Sequence, residues 1–90
     1  MTDPAAAIDR TDGRVLLLGK PGCHLCDDAR LVVDRVCAEL NVGWAEGDVT
    51  QSAADLTAYG EMIPVVFVDG VVHGYWRIDE TRLRDALLSP

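Results

Sequence analysis

The sequence predicts an α/β fold: a four-stranded mixed sheet flanked by helices, in the order β-α-β-α-β-β-α. Three observations carry that prediction. Two runs, Val15-Leu16-Leu17-Leu18 and Val65-Val66-Phe67-Val68, are apolar at every position, as strands buried on both faces are. Residues 23–40 repeat Leu25, Ala29, Val32, Val33, Val36 and Leu40 at spacings of three and four, with Asp27, Asp28, Arg30, Asp34 and Glu39 between them. Asp69-Gly70 then reads as a two-residue hairpin turn between paired strands.

Taken in order, residues 1–13 hold Pro4, Gly13 and three Asp with no amphipathic period, and are expected to be a disordered leader ahead of one domain at 14–90. The first strand ends in the loop Gly19-Lys20-Pro21-Gly22. A helix from about Cys23 to Leu40 stops at Asn41, and Val42-Gly43-Trp44-Ala45-Glu46 makes a short second strand. A short helix over 51–59 is supported by Ser52 and Asp55 three residues on, a variant of the capping box, and Gly60 ends it. After the second buried strand and the Asp69-Gly70 turn, Val71-Val72-His73 forms an antiparallel edge. The last helix begins at Asp79 as N-cap, with Ile78 and Leu83 placed for a hydrophobic staple. A right-handed crossover makes the first two strands parallel.

Charge limits the partners. Eight Lys+Arg against fifteen Asp+Glu leave a net charge of −7, which repels nucleic acid, and the basic residues do not cluster. No apolar run approaches the ~18 residues that span a membrane, and the opening Met1-Thr2-Asp3-Pro4 has an acid where a signal peptide carries a base. A monomeric cytoplasmic protein with neither nucleic-acid nor membrane partners is expected.

Three cysteines in a reducing compartment do not make a disulfide framework. Cys23 and Cys26 instead form a C-x-x-C between a strand–loop and a helix, the setting that disulfide exchange requires. The thiolate is the nucleophile, and at a pKa of ~8.5 only about 3% of a thiol is ionised at pH 7. A helix start supplies unpaired N–H groups and the positive end of the dipole, both of which favour the anion. Cys23 therefore attacks, and Cys26, one turn deeper, resolves the mixed disulfide. Lys20 either adds a positive charge beside the thiolate or is an ordinary surface lysine. His24 either helps when protonated or is simply exposed, while Asp27 and Asp28 oppose the anion but favour the helix start. Cys37 lies a helical rise of ~16 Å from Cys26, beyond the ~7 Å that a bridge tolerates, and reads as a small buried apolar residue. A zinc site would need a second ligand pair, and His24 and His73 are badly spaced for one, so no metal is expected. Pro64 opens a buried strand, where a missing N–H is tolerated; a cis Ile63-Pro64 bond there would present the Ile63 backbone to a substrate, whereas a trans bond would make it an ordinary strand start.

The stretches Leu18-Gly19-Lys20-Pro21-Gly22-Cys23-His24-Leu25-Cys26, Tyr59-Gly60-x-x-Ile63-Pro64-Val65 and Phe67-Val68-Asp69-Gly70 resemble the glutaredoxins, most of all their small bacterial glutaredoxin-like branch. The likeness covers residues 14–88. It implies a thioredoxin-like, glutaredoxin-type fold and a dithiol thiol–disulfide oxidoreductase, with Cys23 as nucleophile, Cys26 as resolving thiol, Lys20 as the cation at the thiolate and Pro64 as the cis-proline. It also admits a glutathione-assisted iron–sulfur scaffold with Cys23 as a cluster ligand, or a non-catalytic adaptor. Two departures bear on substrate. Dithiol glutaredoxins carry Pro-Tyr between the cysteines where this chain has His24-Leu25, and Gly-Gly before the last helix where it has Gly74-Tyr75-Trp76-Arg77. Tyr75 and Trp76 put bulk where a glycine pair would admit glutathione, and Arg77 offers a carboxylate clamp. The alternative is that Trp76 packs on the sheet edge and Arg77 is solvated. No tightly bound cofactor is expected, glutathione is at most an optional co-substrate, and the partner is a disulfide-bearing protein or another low-molecular-weight thiol.

Overall fold

The computed structural model describes residues 14–89, so the segment expected to be a disordered leader lies outside the described residues. Strand β1 (Val15–Gly19) leads into helix α1 (His24–Leu40), β2 (Trp44–Asp48), a single 3-10 turn (Val49–Gln51), α2 (Ala53–Tyr59), β3 (Val65–Val68), β4 (Val71–Tyr75) and α3 (Glu80–Leu88). The sheet order is β2-β1-β3-β4, with β1 parallel to β2 and antiparallel to β3, and β3 antiparallel to β4.

The continuous apolar runs are explained by two cores. Alternate residues of a strand face opposite ways, so Val15 and Leu17 join Ala29, Val33, Val36 and Cys37 of α1 and Leu83 and Leu87 of α3 on one face of the sheet. Leu16 and Leu18 join Val65 and Phe67 on the other, against Tyr59, Met62 and Ile63. Cys37 is 1% exposed, in the role expected of it.

Local chemistry sets the ends of the helices. The Cys23 side chain caps α1, and Asn41 ends it in the left-handed conformation at φ 57°, where Asn is tolerated better than most residues. Ser52 caps α2 by accepting from the Asp55 N–H, and Asp79 caps α3 by accepting from the Arg82 N–H at 3.0 Å. At the hairpin, Asp69 and Gly70 both have positive φ, 52° and 85°, as a type I′ turn demands. Arg14 ties the turn down with two side-chain bonds to Asp69, at 2.8 and 3.0 Å.

Four boundaries differ from expectation. Strand β2 sits two residues later, because the Val42 N–H is used in capping α1, bonding to Cys37 O at 2.8 Å. Gly19 belongs to β1 rather than to the loop, paired with Asp48. Helix α2 starts two residues later than expected, at Ala53, because Gln51 belongs to a 3-10 turn capped by Asp48 and Ser52 is the N-cap. Strand β4 runs on to Tyr75 through a bulge: Val66 pairs with Gly74 and Phe67 with Val72, leaving His73 as the extra residue. Among the described residues no helix is long and apolar enough to cross a membrane.

Candidate active site

Strand register gathers the candidate residues at one end of the sheet. Strand β1 finishes at Gly19 and feeds the loop to Cys23. In antiparallel register Leu18 lies opposite Val65, so Ile63 and Pro64 enter beside that loop. Val65 in turn pairs with Tyr75, which brings the Tyr75-Trp76-Arg77 segment to the same end.

Cys23 is the N-cap of α1, half-buried, with extended backbone at φ −100°. Its Sγ accepts a hydrogen bond from the Cys26 N–H at 3.2 Å. An amide that the helix leaves unpaired thus points at the sulfur that is to carry charge. Cys26, 1% exposed, stands behind it. Burial first, and then a hydrogen bond with Cys23, push the Cys26 thiol up to about 11, while a hydrogen bond from the Lys20 backbone and the charge of Arg30 pull the other way. The two thiols are therefore unlike, one reachable at a helix start and one held protonated inside. Gly19 makes room for the inner one, since a Cβ there would meet Cys26 Sγ at 3.0 Å.

The Lys20 side chain is exposed and lines a groove of about 350 Å³ with Gly19, Asp27, Arg30 and Glu46. Arg30, which sequence reasoning passed over as part of a polar helix face, also lines this groove. The available signal was its position four residues after Cys26, on the same side of the helix. His24 is the first residue of α1 and is exposed.

The Ile63-Pro64 bond is cis, with Pro64 buried and Ile63 half-buried. Pro64 O accepts from the Trp76 N–H at 2.9 Å, and the Trp76 indole donates to Glu61 O at 3.1 Å. Trp76 is thereby fixed to the approach to β3, with Tyr75 edge-on to its ring at 5.0 Å. Its backbone is left-handed at φ 64°, a conformation that costs a bulky side chain ~1–2 kcal/mol and one that no reading of the sequence foresaw. Tyr75 and Trp76 are nonetheless 44% and 54% exposed, and with Leu25 and Arg77 they line an open groove of about 490 Å³. Leu25 is one of the two residues between the cysteines, so this groove reaches the C-x-x-C from the side opposite Lys20. Among the described residues no three His, Cys, Asp or Glu side chains cluster as a metal site would require.

Comparison with known proteins identifies the family and the fold. A model of the Glutaredoxin-like domain (DUF836) matches residues 14–88. An uncharacterized protein of Mycobacterium tuberculosis is 33% identical over 76 residues, covering 79% of this chain and 78% of its own. Among solved structures, a structural-genomics target protein from X. campestris aligns with a TM-score of 0.70 at 28% identity, over 84% of this chain and 99% of its own. A mutant thioredoxin from Halobacterium salinarum aligns with a TM-score of 0.61 at 26% identity, over 96% of this chain and 88% of its own. The family match runs from the residue before β1 to the end of α3, and on it the chain belongs to the glutaredoxin-like domain family, built on the thioredoxin-like fold.

Proposed function

We propose that the protein is a dithiol thiol–disulfide oxidoreductase in which Cys23 attacks a disulfide and Cys26 resolves the intermediate. The observation that carries this reading is the Cys23 sulfur at the α1 N-cap, accepting from the Cys26 N–H, with the Cys26 thiol buried directly behind it. The Cys23 thiolate attacks one substrate sulfur; a Cys23–substrate bond forms, and the other sulfur leaves with its electron pair and takes up a proton. Cys26 then gives its proton to solvent and attacks Cys23. The second substrate sulfur leaves as a thiolate, and a Cys23–Cys26 disulfide remains. Two electrons have passed to the substrate, and an external thiol returns them to the protein.

Substrate is proposed to enter along the Leu25, Tyr75, Trp76 and Arg77 groove, with the Ile63 backbone as a pairing edge and Arg77 holding a carboxylate. The aromatic bulk favours an extended peptide segment or another small thiol over the compact pose of glutathione. Lys20, and His24 when protonated, are proposed to add positive charge on the outer side of Cys23.

Iodoacetamide should modify Cys23 faster than Cys26 or Cys37 at pH 7, and Cys26→Ser should accumulate a mixed disulfide through Cys23 that the unaltered protein does not retain. Cys23→Ser should capture nothing. Equal alkylation of all three thiols, or capture that survives Cys23→Ser, would overturn the assignment.

A further inference from the structure

The groove on the Lys20 side holds an ion-pair network that the exchange chemistry above leaves unassigned. Arg30 is bound by Glu46 through three contacts of 2.6–3.0 Å and by Asp27 at 2.9 Å. Glu46 comes from β2, so the network crosses from the helix that carries both cysteines to the edge of the sheet. Arg30 is four residues after Cys26 on α1, its charge acts on the Cys26 thiol, and the same groove is lined by Gly19, the residue against Cys26 Sγ.

We propose that Arg30 is a positioning residue for the resolving step, and that Glu46 and Asp27 set how much of its charge Cys26 experiences. The inference rests on the reading of Cys26 as the resolving thiol. To act, the Cys26 S–H must lose its proton; the new thiolate then attacks Cys23, and the substrate sulfur leaves with its electron pair. A cation four residues along the same helix face stabilises that thiolate, and two carboxylates on the cation weaken the effect. The groups that bear on the Cys26 thiol are Cys23, the Lys20 backbone and Arg30; Lys20, Asp27, Glu46 and Asp48 line the groove that holds Arg30. Arg30 with Glu46 and Asp27 sums to −1. Removing the arginine charge leaves −2, and removing the glutamate charge leaves zero.

Opposite charge changes should therefore move Cys26 in opposite directions. In a Cys23→Ser, Cys37→Ala protein, with Cys26 its only thiol, ultraviolet thiolate absorbance is followed against pH. Arg30→Gln should move the Cys26 titration upward and Glu46→Gln should move it downward, each by about one pH unit, the size of a Coulomb effect at partial burial. Arg30→Lys should restore the midpoint. In the otherwise unaltered protein, ring closure from a preformed Cys23 mixed disulfide should slow about three- to fourfold at pH 7 in Arg30→Gln, since lost thiolate is partly offset by higher nucleophilicity, and quicken in Glu46→Gln. Opposite shifts in the single-thiol protein support the inference even if that protein's parent reduces no disulfide. Shifts of one sign, as mere loss of an ion pair would give, or no shift at all, overturn it and leave the roles of Cys23 and Cys26 standing.

Discussion

Cys26 and Cys37 show what burial does to a thiol. Both inner thiols are pushed up to about 11 from an ordinary value of 9.0, chiefly by burial, and a neutral thiol in each place is part of what the folded chain retains. A folded-state value above the unfolded one means that the unfolded chain ionises first. The stability from each thiol is complete below about pH 9, falls as the pH rises, and is gone above about pH 11. Urea midpoints should accordingly hold steady from pH 7 to 8.5 and drop between about pH 9 and 11, and Cys37→Ala should flatten part of that drop. A midpoint that does not change across this window would mean that the thiols titrate alike in both states. The spacing of Cys37 from Cys26 was enough to read its role, because helix rise alone forbids a bridge. The close approach of Gly19 to Cys26 was not readable, since it depends on how α1 lies across β1.

At the scale of elements, the start of α1 is both a structural cap and the candidate nucleophile. Cys23 accepts from the Cys26 N–H just as a Ser or Asp N-cap would, so losing the sulfur has two separable consequences. Cys23→Ser should keep the cap and leave thermal stability close to that of the parent while abolishing disulfide capture. Cys23→Ala should lose capture and also cost ~1 kcal/mol, read as a lower urea midpoint. If serine destabilised as much as alanine, the cap would not be what the side chain contributes. Caps and turns were legible because their partners lie within four residues: Ser52 with Asp55, Asp79 with Arg82, and the Asp69-Gly70 pair. Strand lengths were less so. The end of β4 is set by a bulge in its ladder with β3, and the start of β2 by the Val42 N–H that α1 uses as a cap, neither of which the residue pattern of the strand itself shows.

Across the whole molecule, sheet register assigns the two tryptophans opposite places. Trp76 follows β4 at the C-x-x-C end, sharing a groove with Leu25 from between the cysteines. Trp44 pairs with Val15 at the other end of β1 and packs on the core of α1 and α3. If the proposed Cys23–Cys26 disulfide closes, the turn that carries Leu25 should shift, and with it the surroundings of the Trp76 indole across the shared groove. Tryptophan fluorescence should therefore differ between oxidised and reduced protein; the difference should vanish in Trp76→Phe and persist in Trp44→Phe. A difference that follows Trp44 instead would show that the redox change spreads through the core and is not confined to the groove.

The sequence by itself determined what local chemistry decides: two strands apolar at every position, the Ser52 and Asp79 caps, the Asp69-Gly70 hairpin turn, and a C-x-x-C at a helix start. Each depends on residues a few positions apart, where backbone geometry fixes which groups meet. Only the tertiary structure decided the rest. It paired Arg30 with Glu46, placed Gly19 against the Cys26 sulfur, and fixed Trp76 in a left-handed backbone by bonds to Glu61 and Pro64. Those contacts join segments whose separation along the chain carries no local signal. They follow from the order β2-β1-β3-β4, which brings the ends of distant strands to one edge of the molecule.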